Sequence, residues 1–311
     1  MTSMSNAKPS PQMTIDQKPK APSRSVKRKK YRPVRSLPVR IVLGMAKLAL
    51  MFYVGLLIAM VLMEERIVYP GAYMNSAGRS VTPVPGIETV TYIAPGEVTI
   101  HSRLIERDDA SDVVLFLHGN GVKAAWLDQW TKTLSDTFRA NVLTAEYRGF
   151  EDDIRPTERG VIEDCFAARN FLCDRYGIEP TDIIVYGQSL GGGCAAALAC
   201  RDGAKALVLE RTFDSLYAVG AKKYPFLPVK SLMKNRYDSA ARLTVYEGPL
   251  LQIHGTQDKI VPLERARSLY AAARTDIKEF VEVPGLGHNE PLSPTVLKQA
   301  AQWVNQSTRT Q

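Results

Sequence analysis

Histidine is scarce in this chain, with four in 311 residues, and cysteine is equally scarce. The histidines are His101, His118, His254 and His288, so any imidazole base must come from this short set. The cysteines offer no disulfide framework, because Cys165 and Cys173 share one predicted helix and Cys194 and Cys200 another. At the rise of a helix the members of each pair lie about 12 and 9 Å apart, too far to bridge within either helix. Buried free thiols are expected instead. No metal-ligand spacing, phosphate-binding loop or internal repeat is present, and no cofactor is implied. A basic surplus is also missing from the globular part. Residues 1–47 hold 12 of the 40 Lys and Arg but one of the 32 Asp and Glu, so they carry +11 and the rest −3. The net charge of +8 therefore belongs to the N-terminal segment, and nothing in the remainder argues for nucleic acid as a partner.

What the N-terminal segment does contain is a sharp change of character. Residues 1–40, rich in Lys, Arg, Pro and Ser, read as a disordered basic tail. Ile41 to Met63 follows, broken only by Lys47. As a helix this run is about 34 Å long, enough to cross a hydrocarbon core of roughly 30 Å. Lys47 lies at the basic end, where its ammonium can snorkel to the interface. The run exceeds a signal-peptide core, and Met63-Glu64-Glu65 offers no small-residue cleavage site, so an uncleaved signal anchor is expected. A cleaved signal, a buried helix and a polybasic nucleic-acid arm fit the length and flanks less well. Lys27 to Lys30, Arg32, Arg35 and Arg40 flank one end, and Glu64 and Glu65 the other. That asymmetry expects a cytoplasmic N-terminus, a linker over 64–84, and a domain over 85–306 on the extracytoplasmic side.

In that domain two leading strands, near Glu88–Ile93 and Val98–Glu106, are followed by β-α alternation. Strands near Val113, Asn141, Asp182, Ala206, Pro249 and Glu279 are separated by helical stretches. Such alternation predicts an α/β fold with a mostly parallel central sheet covered by helices on both faces. Residues 212–246 interrupt the rhythm with Tyr217, Tyr224, Phe226, Tyr237 and Tyr246 among several bases. They are expected to form a small cap over the site, either a packed helical crossover with a solvated basic face or one whose aromatic and basic groups meet an anionic or acyl substrate.

The densest signal is Asp182-Ile-Ile-Val-Tyr-Gly-Gln-Ser-Leu-Gly-Gly-Gly193. A β-branched strand runs into Gly187-Gln188-Ser189-Leu190-Gly191, and an Ala-rich helix follows. Strand, sharp turn and helix with a serine at the apex make a nucleophile elbow, with Gly187 and Gly191 relieving the crowding. A serine hydroxyl needs a base, and the base an orienting acid, in the order Ser, acid, His along such a chain. Only His254 and His288 lie beyond Ser189. His288 sits in a glycine-rich loop after the strand ending at Val283, where open α/β sheets put their chemistry. His254 closes a strand and reads as structural. Asp258 is the expected acid, with Asp214 as the competitor. The oxyanion donors are expected to be the backbone N–H groups of Leu190 and, after the apolar strand Val113–Leu117, Asn120.

These pieces resemble the α/β-hydrolase superfamily, and within it the membrane-anchored bud-emergence (Bem) type and related α/β-hydrolase-domain proteins. The resemblance rests on Leu117-His118-Gly119-Asn120, Glu146-Tyr147-Arg148-Gly149-Phe150, the elbow, Leu209-Glu210-Arg211-Thr212-Phe213, His254 to Pro262, and Gly287-His288-Asn289. It implies the α/β-hydrolase fold, a triad of Ser189, Asp258 and His288, and oxyanion donors at Asn120 and Leu190. One departure is an acidic Glu151-Asp152-Asp153 where relatives continue with Gly, a basic residue and Ser.

The sequence thus expects a membrane-anchored serine hydrolase acting on ester or thioester bonds of an acyl, and possibly lipid, substrate. A non-catalytic binding module at the membrane and a serine peptidase or amidase are the alternatives. A strained elbow with a full Ser, Asp and His set has no use in a mere binding module.

Overall fold

A computed structural model describes residues 36–74 and 83–308. Most of the expected basic tail, residues 1–35, and residues 75–82 of the expected linker lie outside the described residues.

The first element is α1 (Leu37–Val68), a 32-residue helix with mean hydropathy 2.3 over its most apolar stretch, where no residue is buried. Among the described residues it is the one helix long and apolar enough to cross a membrane. The chain divides into two compact units inside this helix, between Phe52 and Tyr53. The described part of the first is helix alone; the second carries everything else.

Here the structure corrects the expectation for residues 64–73. They do not begin a linker. The helix continues to Val68, and Glu64, Val68 and Tyr69 are buried. The physical reason is partners far along the chain: one Glu64 carboxylate oxygen accepts from the backbone amides of Lys234 and Asn235, both at 2.8 Å, and from the Asn235 side chain at 2.9 Å. Glu65, the other expected flanking charge, pairs with Arg155 at 2.8 Å.

Eight strands form one sheet among the described residues: β1 (Ile87–Ala94), β2 (Val98–Ile105), β3 (Asp112–Leu117), β4 (Ala140–Ala145), β5 (Ile183–Gln188), β6 (Ala206–Glu210), β7 (Leu250–Gly255) and β8 (Lys278–Val283). Their order is β1-β2-β4-β3-β5-β6-β7-β8; only the β1–β2 and β2–β4 pairings are antiparallel. The central strands are apolar on both faces, as a sheet covered on both sides requires. In β5, Ile183 and Val185 enter one core while Ile184 and Tyr186 enter the other. In β3 the split is Val113, Leu115 and Leu117 against Val114 and Phe116.

The remaining helices are α2 (Asp128–Phe138), α3 (Glu158–Tyr176), α4 (Leu190–Asp202), α5 (Leu216–Lys223), α6 (Val229–Leu232), α7 (Ser239–Leu243), α8 (Leu263–Ala272) and α9 (Pro294–Ser307). Local chemistry sets several ends. Thr157 and Ser293 cap α3 and α9 through their hydroxyls, and Gly177 closes α3 in the left-handed region at φ +64°. All four cysteines are free thiols, and Cys165 on α3 and Cys194 on α4 are buried. Burial pushes the Cys165 thiol well above its ordinary range.

The chain leaves β3 for β4 on one side, then crosses to β5 on the other. That reversal opens a crevice beyond the C-terminal ends of β3 and β5, where ligands bind in open α/β sheets.

Candidate active site

Ser189 stands between the last residue of β5 and the first of α4, with φ +51° and ψ −115°. That backbone lies in the left-handed half of conformational space, which a side chain resists, so the surrounding packing has to hold it there. Close approach explains the flanking glycines. A Cβ on Gly187 would strike the Gly191 carbonyl and the Ala195 methyl, and one on Gly191 would overlap the Leu117 carbonyl. The turn is fixed from two sides as well. The Ser189 amide donates to the Glu210 carbonyl at 2.9 Å, and the Thr212 hydroxyl donates to the Ser189 carbonyl at 2.7 Å.

Ser189 Oγ lies 3.0 Å from His288 Nε2, and His288 Nδ1 lies 2.7 Å from Asp258 Oδ2. A carboxylate can only accept, so Nδ1 carries the proton and Nε2 is left to accept from the serine. The other Asp258 oxygen accepts from the amides of Ile260 at 2.9 Å and Val261 at 2.8 Å. Burial pushes the Asp258 carboxyl up, but the His288 hydrogen bond and charge, with the Val261 amide, outweigh it and hold the group below its usual range. The Asp258 carboxyl is therefore held toward its ionised form beside the imidazole.

The competitor Asp214 is engaged elsewhere. It accepts from its neighbour's amide on Ser215 at 2.7 Å and from Arg265 at 3.0 Å. His254 is wholly buried, and its Nε2–H donates to the Val261 carbonyl at 2.9 Å, closing the loop that presents Asp258. Burial lowers its pKa, so the ring is neutral.

Leu190 opens α4, where the first amides have no intrahelical acceptor. Asn120 follows Gly119, and a Cβ on Gly119 would lie 3.4 Å from that of Ser189. The Asn120 side-chain amide donates to the Val68 carbonyl at 2.6 Å, and the Asn120 backbone carbonyl accepts from the Gly71 amide at 2.8 Å. Leu190 thus follows the serine directly, and Asn120 is one residue from the glycine that packs against it. His118, one strand end away, serves the loop instead. Its Nε2 meets Glu146 at 3.1 Å, and its carbonyl accepts from the Tyr147 hydroxyl at 3.0 Å.

Likeness to known proteins agrees with the geometry. A family model described as alpha/beta hydrolase fold matches residues 112–244, which include Ser189 but end before Asp258 and His288. An uncharacterised protein of Mycobacterium tuberculosis strain H37Rv is 40% identical over 152 residues, covering 49% of this chain and 54% of that one. The chain thus spans about half the length of that relative. Alpha/beta hydrolase domain-containing protein 17B of Homo sapiens is 28% identical over 200 residues, 64% of this chain and 68% of its own. The solved alpha-beta hydrolase of Vibrio vulnificus matches with a TM-score of 0.61 at 20% identity, over 79% of this chain and 92% of that one. The chain has the α/β-hydrolase fold.

Sequence reasoning quoted the pair behind the serine, Glu210 and Arg211, within a motif but gave neither a role. Glu210 ends β6 and Arg211 follows it, the two forming a buried ion pair. The Arg211 guanidinium also donates to the carbonyls of Gly287, at 3.3 Å, and Glu290. Their position at the end of a central strand, beside the crevice, was the available signal. The cap aromatics need a correction. Tyr237 and Tyr246 are buried in the core, Tyr237 bonding Tyr69 at 2.9 Å and Tyr246 the Pro249 carbonyl at 3.0 Å. Phe226 is 87% exposed. Burying an aromatic body with its hydroxyl satisfied outweighs presenting it to a ligand. The acidic departure also has a local use, since Asp152 accepts from the amides of Gly149 and Ile154, both at 2.8 Å.

Proposed function

We propose that this protein is a membrane-anchored serine hydrolase that cleaves carboxylic ester or thioester bonds of acyl substrates. The observation that carries this reading is the two-bond relay from Ser189 Oγ through His288 to Asp258, at 3.0 and 2.7 Å. In it, Ser189 Oγ attacks the carbonyl carbon while His288 Nε2 takes the hydroxyl proton. Asp258 holds the ring and stabilises the imidazolium. The amides of Leu190 and Asn120 receive the charge that develops on the carbonyl oxygen. Collapse of the tetrahedral intermediate expels the alcohol or thiol, which leaves with the proton from His288. Water then attacks the acyl-serine, gives its proton to the same nitrogen, and frees the acid and the serine. Every atom required is supplied by these side chains and water, so the reaction as drawn calls for no cofactor.

Leu37–Val68 serves as the anchor in this reading, with the basic N-terminal residues cytoplasmic and the hydrolase domain, residues 85–306, across the membrane. Its length and hydropathy support the span, and the Lys and Arg before it support the orientation. Residues 212–246 act as the cap.

Labelling of the full-length protein with a fluorophosphonate tests the catalytic reading. Wild-type protein is expected to label and Ser189→Ala not to. A folded wild type that stays unlabelled would reject an activated serine. Turnover of p-nitrophenyl esters without cleavage of peptide amides would separate the ester reading from a peptidase. Protease protection of the domain in sealed vesicles tests the orientation.

A further inference from the structure

Between the end of α1 and the cap lies a cavity of about 440 Å³ to which the relay gives no role. That volume falls within the roughly 300–1,000 Å³ of small-molecule sites. One wall is the membrane helix itself, through Met60, Val61 and Ile67. The facing wall is the cap, with Val219 on α5 and Leu227 and Met233 on either side of α6. Glu64 shares the lining, but its carboxylate is occupied by the Lys234 and Asn235 amides. Most of the lining is apolar, with the lysines Lys222, Lys223 and Lys259 among it.

Its ends connect it to the chemistry. Asn120 lines the cavity, one residue from the glycine that packs on Ser189. Ile260 and Pro262 line it from the loop whose amides hold Asp258. A carbonyl with its oxygen at the Asn120 and Leu190 amides therefore has this cavity as the neighbouring apolar space for whatever it carries. Transfer of apolar surface out of water is favourable in proportion to its area, so a long chain gains more here than a short one.

We propose that this cavity is the acyl-chain subsite of the site described above, with the last turns of the membrane helix as one wall, and that the enzyme is selective for long unbranched acyl chains. The inference rests on the serine-hydrolase reading for the bond cleaved, but not for the chain bound. Substrate chains enter along α1, and the anchor contributes to specificity as well as to attachment.

Two measurements on the full-length protein in lipid vesicles test it. In the first, a palmitate analogue with a terminal diazirine is irradiated with the protein and the adducts are mapped by mass spectrometry. Adducts on cap residues Val219 or Leu227 that excess palmitate removes are expected. Absence of cap adducts, or adducts that palmitate leaves in place, would overturn the proposal whether or not the protein turns over esters. In the second, Val61→Trp and Val219→Trp fill the cavity from opposite walls. Each is expected to lower the ratio of palmitoyl to butyryl ester turnover about tenfold or more, the scale at which an apolar pocket discriminates chains. An unchanged ratio in both folded variants rejects the subsite. Loss of fluorophosphonate labelling in wild type, with cap adducts retained, rejects the hydrolase reading and leaves a long-chain binding cavity.

Discussion

Arg211 reaches across 79 residues of chain to hold the carbonyl of Glu290, two positions past His288. The same guanidinium holds the Gly287 carbonyl, one position before it. The base of the relay is therefore bracketed by one buried fork, and that fork is itself steadied by Glu210. The Glu210 carboxylate also accepts from the Tyr186 hydroxyl at 2.5 Å and the Gln188 side chain at 3.0 Å. In the proposed mechanism Arg211 would touch no reacting atom and would act by positioning His288.

Arg211→Lys keeps a positive charge beside Glu210 but loses the fork. The expected result is a fall in kcat of up to about a hundredfold with KM little changed, because a small misplacement of the base is felt mainly in the transition state. Steady-state ester hydrolysis by the two proteins reads this directly. Equal kcat values would mean the loop holds His288 without help.

Asp258→Asn puts an amide where the carboxylate accepts the Nδ1 proton. The imidazole is then free to take the wrong tautomer, and kcat should fall by about 10⁴ while the protein stays folded. Asp214→Asn should leave kcat within about twofold, since Asp214 pairs with Arg265 and not with His288. A larger effect from Asp214 than from Asp258 would reverse the assignment of the acid.

The buried His254 is expected to make the fold acid-sensitive. Its pKa in the folded protein is below the ordinary value, so the unfolded chain takes up the proton first as pH falls. Its contribution to stability is complete above the unfolded value of about 6.5 and is lost as pH drops through the depressed folded value. Asp258, also depressed, adds a second loss that begins near the unfolded carboxylate value of about 3.9. Thermal unfolding followed from pH 8 downward should show the midpoint falling first in the histidine range. His254→Gln should flatten that first step. If it does not, another group is responsible.

Glu64 satisfies three N–H groups on Lys234 and Asn235 from the end of α1. Glu64→Ala should leave donors unpaired and cost about 3 kcal/mol, a drop of several degrees in the unfolding midpoint. Glu64→Gln keeps an acceptor oxygen and should cost less. Calorimetry of the detergent-solubilised protein distinguishes the two.

Much of the fold was legible in local pattern. The β-branched runs, the glycines at the elbow and the alternation of strand and helix each declare themselves within about a dozen residues, which is the range over which periodicity speaks. The order of Ser189, Asp258 and His288 followed from the same local motifs. What stayed hidden depends on residues far apart. Glu64 looks like a charge at a membrane border until Asn235 is found 171 positions away. Tyr237 looks like a cap aromatic until Tyr69 is found beside it. Arg211 stands in one of the motifs that carry the resemblance, but its use appears only when β6 and the loop after β8 are brought together.

Tyr69, the residue immediately after α1, is fully buried and holds both Asn235 and Tyr237 through its hydroxyl. The stretch of chain that ends α1 is therefore also the stretch that completes the core. A protease cutting after this point would not shed a free, intact enzyme, because it would leave behind a hole the size of a tyrosine ring. For the same reason, no lipid tail or flexible tether grafted downstream could stand in for the helix.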